Sequence, residues 1–161
     1  MTRRWVLNAS PLILLGKVRR LGLLAGLCDE LLVPEAVASE VAAGPEGAAL
    51  VGELARVDRT RYFGVPAILP RVEAWDLGLG ESQVLTAVAE RPGSRAVLDD
   101  RAARRCAQVL GLPVIGTVGI VLRARKKGLI ARARPILSEL ERSGLYLTES
   151  VREEALARVG E

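Results

Sequence analysis

The amino-acid sequence predicts an α/β protein: a single three-layer α/β/α sandwich around a mostly parallel sheet of four to five strands. Short apolar runs alternate with longer segments of helical periodicity, which is typical of strand–helix–strand units. The chain has 161 residues, of which 50% are hydrophobic, enough for one sizeable core. No internal repeat or linker interrupts the pattern. We therefore expect one domain over residues 1–161, with a C-terminal helical segment from about 134 to 161 packed on it.

In the first half of the chain, two apolar runs predict buried strands. Trp5-Val6-Leu7 is followed by turn residues and then by Pro11, a residue favoured in the first turn of a helix. The second run ends at Pro34, and a Gly-Pro pair ends the helix that follows it. The predicted elements of this half are strand 5–7, a helix to about residue 21, strand 30–33, a helix from 34 to 44, helix 47–57, strand 61–65 and a loop over 66–70.

The second half alternates helices and strands more regularly. Val84, Leu85 and Val88 share one helix face, and Gly111 and Gly128 are typical helix terminators. The last two predicted helices each carry an apolar stripe, which would pack on the domain's own core or else capture a partner helix or a second protomer. The predicted elements are helix 79–90, strand 95–98, helix 101–110, strand 114–115, helix 117–127, helix 134–142, an edge strand over 145–147 and a helix from 148 to about 159.

The composition restricts the classes of function. A net charge of +4 and a pI of about 9.6 suit an anionic partner, although a solvated basic surface explains the same balance. The absence of histidine excludes triads with a histidine base and histidine-ligated zinc. Cys28 and Cys106 match no metal or redox spacing, so we expect buried, reduced thiols in a cytoplasmic protein. Glycine and proline interrupt the uncharged stretch 106–122, so we expect no membrane span.

Polar and acidic side chains are placed around the ends of the predicted strands. Asn8 follows the first strand, Asp99 and Asp100 follow the strand over 95–98, and Glu40 and Glu81 lie on intervening helices. Because the carboxyl ends of parallel strands meet at one crevice, we expect these side chains to converge. Carboxylates about 4 Å apart repel by roughly 4 kcal/mol at an effective dielectric of 20, so such a cluster predicts a bound Mg²⁺ or Mn²⁺ ion. Metal ions in such a site drive phosphodiester hydrolysis.

Each of these residues also has a purely structural explanation. Asp99 or Asp100 would serve as the N-cap of a helix. Glu81 would be a first-turn acid next to the positive end of the helix dipole, and Glu40 a solvated side chain. Their common position around predicted strand ends is what favours a functional site. Ordinary turn and capping roles are equally open to the polar residues Asn8, Ser10 and Thr117.

Five motifs occur in an order that resembles one known superfamily. The motifs are NASPLI at 8–13, VPEAVASEV at 33–41, GLGESQV at 78–84, LDDRAAR at 98–104 and GLPVIGTVG at 111–119. Together they resemble the PIN-domain superfamily. They are most similar to a prokaryotic PIN-like family whose members typically open with Asn-Thr/Ala-Ser-Pro-Leu-Ile. The resemblance covers nearly the whole chain.

The resemblance implies a parallel α/β/α sandwich with Mg²⁺- or Mn²⁺-dependent ribonuclease activity, as in the VapC-type toxins of toxin–antitoxin pairs. In that chemistry a water activated at one or two metal ions attacks phosphorus in line. Asn8 replaces the usual Asp but can bind a metal through its carbonyl oxygen, and Glu81 stands where many members have Asp. Asp99 is an additional acid nearby. The family's catalytic and metal-binding acids carry over to Asn8, Glu40, Glu81 and Asp100.

The resemblance also implies partners: RNA, an antitoxin protein and a second copy of the chain in a homodimer. Accessory polar groups and exposed cations would bind the phosphates, although a solvated basic face is the open alternative for the cations. The scarcity of aromatic residues argues against an extended stacking platform for single strands. The candidates for nucleic-acid binding are Ser10, Arg101, Arg104, Arg105, Thr117, Arg123 and Lys127, with Arg125 and Lys126 beside the last two.

The sequence is also compatible with a second function. Asn8 supplies less charge than Asp to a metal site, so the chain could be a PIN-like module that binds nucleic acid or protein with little or no catalysis. A small-molecule enzyme on a doubly wound sheet is a third class. The sequence contains neither a Gly-x-Gly-x-x-Gly fingerprint nor a Walker motif, which disfavours its nucleotide-cofactor forms.

Overall fold

Five parallel strands form the centre of the computed structural model, which describes residues 2–161. The strands are β1 (Arg4–Leu7), β2 (Glu30–Pro34), β3 (Thr60–Phe63), β4 (Ser94–Val97) and β5 (Val114–Ile115). Their order in the sheet is β3-β2-β1-β4-β5, so the first strand lies at the centre. The chain adds strands on one side of β1 and then on the other, and ligands bind at such a change of direction in doubly wound folds.

The helices cover the two faces of this sheet. One group, α1, α2, α8 and α9, packs together, while α6 contacts β1, β2 and β4 as well as its neighbours α5 and α7. This arrangement confirms the predicted three-layer α/β/α sandwich. The helices are α1 (Ala9–Lys17), α2 (Gly22–Leu27), α3 (Glu35–Ala43), α4 (Gly47–Ala55), α5 (Pro70–Glu73), α6 (Leu79–Glu90), α7 (Arg101–Val109), α8 (Thr117–Lys126), α9 (Arg134–Arg142) and α10 (Glu149–Ala157).

The central strands are apolar throughout because both of their faces are covered. Val6, Leu7, Val33 and Val97 are fully buried, although they point alternately to opposite faces of the sheet. The register pairs Leu7 of β1 with Val97 of β4. The residues that follow these two strands therefore emerge side by side at the carboxyl edge, where the predicted site residues lie.

Two helices were not expected from the sequence. The first predicted helix ends at Lys17 instead of near Leu21, because Arg19 adopts a left-handed backbone conformation with φ of 56°. The chain then starts the short helix α2, which buries Leu23, Leu24 and Leu27. The one-turn helix α5 begins at Pro70, where the sequence predicted only the end of a loop.

The predicted edge strand over 145–147 is wrong. These residues are not part of the sheet, and β5 pairs with β4 alone within residues 2–161. Leu145 and Leu147 are partly buried and Tyr146 is exposed, so the alternation that predicted a strand is present. A groove of about 550 Å³ separates this segment from β5, which prevents the backbone hydrogen bonds of a ladder.

The C-terminal helices pack on the rest of the chain. Ile136, Leu137 and Leu140 of α9 are buried in the common core, as are Ala155 and Leu156 of α10. The apolar stripe of α9 is thus part of this core. No helix within residues 2–161 combines the length and hydropathy that crossing a membrane requires.

Glu161 caps the start of α9. Its carboxylate accepts hydrogen bonds from the backbone N–H of Ala133 at 2.7 Å and of Arg134 at 3.2 Å. It also lies 3.6 Å from the guanidinium groups of Arg125 and Arg132. The Ala133 hydrogen bond is the main reason why the pKa of Glu161 is lowered from its ordinary value. The ionised carboxylate therefore stabilises the folded state.

We expect Glu161→Gln to lower the free energy of unfolding by about 1–2 kcal/mol at neutral pH, because charge-assisted hydrogen bonds are weakened. A carboxyl group with a lowered folded-state pKa contributes stability above its unfolded pKa of about 4.3, and the contribution is lost as the pH falls through the folded-state pKa. The melting temperatures of the wild type and of Glu161→Gln should therefore converge at acidic pH. Glu154→Gln, which removes an exposed pair with Arg158, is the control and should have little effect. A difference in melting temperature between the wild type and Glu161→Gln that does not change with pH would contradict this assignment.

Candidate active site

Asn8 occupies the carboxyl end of the central strand. Its backbone N–H donates to the carbonyl of Val97 at 3.1 Å, which fixes the residue beside β4. The side chain is 3% exposed, and its Nδ2 donates to Oε1 of Glu81 at 3.3 Å. The Oδ1 atom is buried and has no hydrogen-bond partner within residues 2–161. A buried oxygen without a hydrogen-bond partner destabilises the folded state, so we expect a ligand to bind it.

Gly80 leaves space for Glu40 to approach Asn8. A Cβ atom at Gly80 would lie 3.3 Å from Asn8 Oδ1 and 3.3 Å from Glu40 Oε2, so both oxygens face one point at the start of α6. The carboxylate of Glu81 lies over Gly78. A Cβ atom added at Gly78 would collide with Oε2 of Glu81. Glu40 and Glu81 line an open cavity of about 560 Å³ between α3 and α6. The sequence Gly78-Leu79-Gly80 thus leaves room for two carboxylates beside Asn8.

Asp99 makes a different set of contacts at the end of β4. Its Oδ1 accepts from the backbone N–H of Thr117 at 2.8 Å, and its Oδ2 accepts from the Thr117 hydroxyl. Thr117 is fully buried at the start of α8. A Cβ at Gly116 would lie 2.7 Å from Arg104 Nη1 and 2.9 Å from Asp99 Oδ1. The carboxylate of Asp99 therefore joins the ends of β4 and β5.

Asp100 is the N-cap of α7. Its Oδ2 accepts a hydrogen bond from the backbone N–H of Ala103 at 2.9 Å, and the residue is exposed. The sequence left the capping role open to either aspartate, and the structure assigns it to Asp100. The residue carried over from the family as a metal ligand is thus engaged with its own helix.

The predicted site residues separate into three groups. Asn8, Glu40 and Glu81 come together, Asp99 and Thr117 bind each other, and Asp100 caps a helix. Among the predicted cations, Arg104 donates to the carbonyl of Leu98 at 3.0 Å, and Arg125 pairs with Glu161. The remaining candidates are exposed on three helices: Ser10 on α1, Arg101 and Arg105 on α7, and Arg123 and Lys126 on α8, with Lys127 at the end of α8.

The donor atoms of the first group suit a hard cation. Within residues 2–161, no three carboxylate or thiol side chains lie close enough together to hold a metal ion. Asn8 Oδ1 with the carboxylates of Glu40 and Glu81 is a smaller set of oxygen donors. Mg²⁺ commonly binds one or two carboxylates and completes its coordination with waters and substrate phosphates. The residues present therefore fit a largely hydrated Mg²⁺ or Mn²⁺ ion.

A neighbouring groove contains several residues that the sequence did not indicate as candidates. Arg95, Arg158 and Tyr146 line it together with the predicted residues Arg104 and Arg123. Arg95 is the one charged residue of β4, and this unusual placement was the only indication in the sequence. The other two lie in the C-terminal segment, far from the motifs.

We expect Gly80→Ala to weaken Mn²⁺ binding about tenfold with little change in stability. The added methyl group would occupy the space between Asn8 Oδ1 and Glu40 Oε2, while alanine favours the helix by about 1 kcal/mol over glycine. Calorimetric titration with Mn²⁺ and thermal melts measure the two effects. Gly52→Ala is the matched control, because Gly52 lies in helix α4 with open space around its Cβ position. Equal Mn²⁺ binding by both variants would contradict the assignment.

The model of a family described as DUF3368, PIN domain, matches residues 4–161. The match includes every residue of the site described above and the whole of the sheet. No curated protein matches the chain.

Proposed function

Because this chain belongs to the PIN-domain family, we propose that it is a metal-dependent endoribonuclease that hydrolyses RNA at the site formed by Asn8, Glu40 and Glu81. PIN domains are generally nucleases that use divalent metal ions, so a hydrolase that acts on nucleic acid is the coarse function of the family. The finer assignment to RNA, to Mg²⁺ or Mn²⁺ and to these three residues is the proposal.

The buried, unpartnered Oδ1 of Asn8 is the observation that carries the proposal. A Cβ atom at Gly80 would lie 3.3 Å from this oxygen and 3.3 Å from Oε2 of the exposed Glu40, so the two oxygens face the same point. Two acceptor oxygens that face the same point repel each other unless a cation, a proton or a water molecule lies between them. A hydrated divalent ion satisfies both, and a substrate phosphate can complete its coordination.

Each residue has a separate task in this proposal. Asn8 Nδ2 holds Glu81 Oε1 and so fixes the orientation of that carboxylate, while its Oδ1 remains available as a ligand. Glu40 supplies the second charge from α3. A divalent cation bound there supplies Lewis-acid activation of water and neutralises charge on the phosphoryl group. Arg104, tied to the Leu98 carbonyl, is placed to bind a phosphate beside Asp99.

The biological assignment extends the proposal. We propose that the protein acts in the cytoplasm as the toxin of a toxin–antitoxin pair, with an antitoxin protein as partner and a homodimer as its assembly. The PIN-family match supports the toxin role, and the two buried free thiols, Cys28 and Cys106, support a reducing compartment. Co-purification with the product of a neighbouring small gene is the test of the antitoxin, and light scattering is the test of the dimer.

One observation favours a second function. The amide of Asn8 neutralises part of Glu81 through a hydrogen bond, where a second acid would bind metal more strongly. A site of this kind suits a PIN-like module that binds nucleic acid or protein without cleaving it. Absence of Mn²⁺ binding by the wild type would make this the better assignment.

The cleavage of a single-stranded RNA in the presence of Mn²⁺ tests the proposal. We expect Glu40→Gln to reduce the cleavage rate at least tenfold, because one of two charged ligands becomes neutral. Glu35→Gln is the matched control, since Glu35 lines the same cavity from the first turn of α3 while its carboxylate lies beside Gly64. Equal activity of both variants would contradict the site, and no activity in any of them would contradict the function.

A further inference from the structure

A second cavity lies along the free edge of β5. We call it the β5 groove: the space of about 550 Å³ between β5 and α8 on one side and residues 145–155 on the other. Asp99 lines it, so one end of the β5 groove adjoins the ends of β4 and β5. None of the three residues of the candidate active site lines it, so the two cavities are distinct.

The β5 groove concentrates positive charge. Arg95, Arg104, Arg123 and Lys126 line it, and within residues 2–161 none of these four cations forms an ion pair with a carboxylate. The two acids of the groove are already engaged, because Asp99 binds Thr117 and Glu154 pairs with Arg158 at 3.2 Å. The pKa of Arg95 is lowered by burial and by the nearby charge of Arg123. An anion bound between Arg95 and Arg123 would offset both the burial of Arg95 and the repulsion between the two guanidinium groups.

Tyr146 adds an aromatic surface to this basic groove. Its side chain is 86% exposed, the most exposed of the large hydrophobic residues in the described chain. Leu145 and Leu147 are partly buried on either side, which anchors the backbone and presents the ring to solvent. A ring beside several unpaired cations matches a polymer that carries both phosphates and flat bases.

We propose that the β5 groove binds single-stranded RNA, with its phosphates on Arg95, Arg104, Arg123 and Lys126 and one base stacked on Tyr146. This inference rests on the proposed function, since the groove would lead the strand toward the candidate active site. An unpaired base is required for stacking, which favours a single strand over a duplex. One tyrosine accommodates one base, and stacking on its ring tolerates any base.

Binding of a short fluorescein-labelled oligouridine, measured by anisotropy in the presence of a chelator, tests the inference independently of cleavage. We expect Tyr146→Ala to weaken binding about tenfold and Tyr146→Phe to bind like the wild type, because the ring carries the stacking energy. Arg123→Ala should lower the slope of log K against log salt by about 0.7, the value for one phosphate contact on a single strand. Tyr62→Ala, on the opposite edge strand β3, and Arg56→Ala, at the end of α4, are the controls and should bind normally.

The outcomes separate this inference from the proposed function. Cleavage by the wild type together with normal binding by Tyr146→Ala would overturn the inference and leave the ribonuclease assignment intact. Binding that depends on Tyr146 without any Mn²⁺-dependent cleavage would support the β5 groove and overturn the ribonuclease. If poly-L-glutamate binds as tightly as oligouridine and neither depends on Tyr146, the groove accepts an acidic protein segment and the inference fails.

Discussion

Asn8→Asp is expected to tighten Mn²⁺ binding at least tenfold and to destabilise the metal-free protein. The substitution replaces the Nδ2 donor to Glu81 by a second negative oxygen, so a hydrogen bond becomes a repulsion. At an effective dielectric near 20, two carboxylates about 4 Å apart repel by roughly 4 kcal/mol, which would lower the melting temperature of a domain of this size by about 10 °C. A bound cation reverses the effect, because a third carboxylate then becomes a ligand.

Thermal melts with and without Mn²⁺ measure both parts of this prediction. The stabilisation by Mn²⁺ should be larger for Asn8→Asp than for the wild type, and Asn8→Ala, which removes donor and acceptor together, should respond least. If Asn8→Asp melts at the wild-type temperature without metal, the contact between Asn8 and Glu81 is absent in solution. If Mn²⁺ then adds no stability, the site at Glu40 and Glu81 is not a metal site.

Asp99→Ala is expected to lower the free energy of unfolding by about 2–4 kcal/mol, whereas Asp100→Ala should cost about 1 kcal/mol. Loss of the Asp99 carboxylate leaves the N–H and hydroxyl of the buried Thr117 without partners, and each such group costs about 1–3 kcal/mol. Loss of Asp100 removes only the N-cap of α7, which water partly replaces.

Urea denaturation of the two variants makes this comparison, with each adjacent aspartate serving as the control for the other. Thr117→Val in the Asp99→Ala background removes the orphaned hydroxyl and should recover part of the lost stability, so the double-mutant cycle isolates the pair. A larger loss in Asp100→Ala than in Asp99→Ala would mean that the roles of the two residues are reversed.

The fold was predictable where local pattern and tertiary packing agree. The helices over 79–90 and 134–142 have the bounds that their periodicity and terminating residues predict. The predictions failed where tertiary context decides. Residues 145–147 alternate between partly buried and exposed as in a strand, but the groove between them and β5 prevents strand pairing. Arg19 ends α1 through a backbone conformation that few non-glycine residues adopt, so the sequence did not indicate it.

The positions of the candidate site residues in the fold were more predictable than their contacts. Asn8 and Asp99 emerge beside each other because β1 and β4 are neighbours in a parallel sheet, and the sequence pattern indicated this. Which aspartate caps α7 depends on Thr117, a residue of the adjacent strand–helix unit. The β5 groove combines β4, α7, α8 and the C-terminal segment, so no continuous stretch of sequence indicates it.

The central position of β1 has a consequence for biosynthesis. Arg4 pairs with Ser94, so one edge of the first strand stays open until most of the chain has been translated. Pairing of residues so distant in sequence is slow, because a long loop must close before the contacts can form. The residues that surround Asn8 come from α3, α6 and β4, and α8 completes the Asp99 contact. A nascent chain that ends before β4 therefore lacks the strand beside Asn8, and one that ends before α8 lacks the contact that holds Asp99.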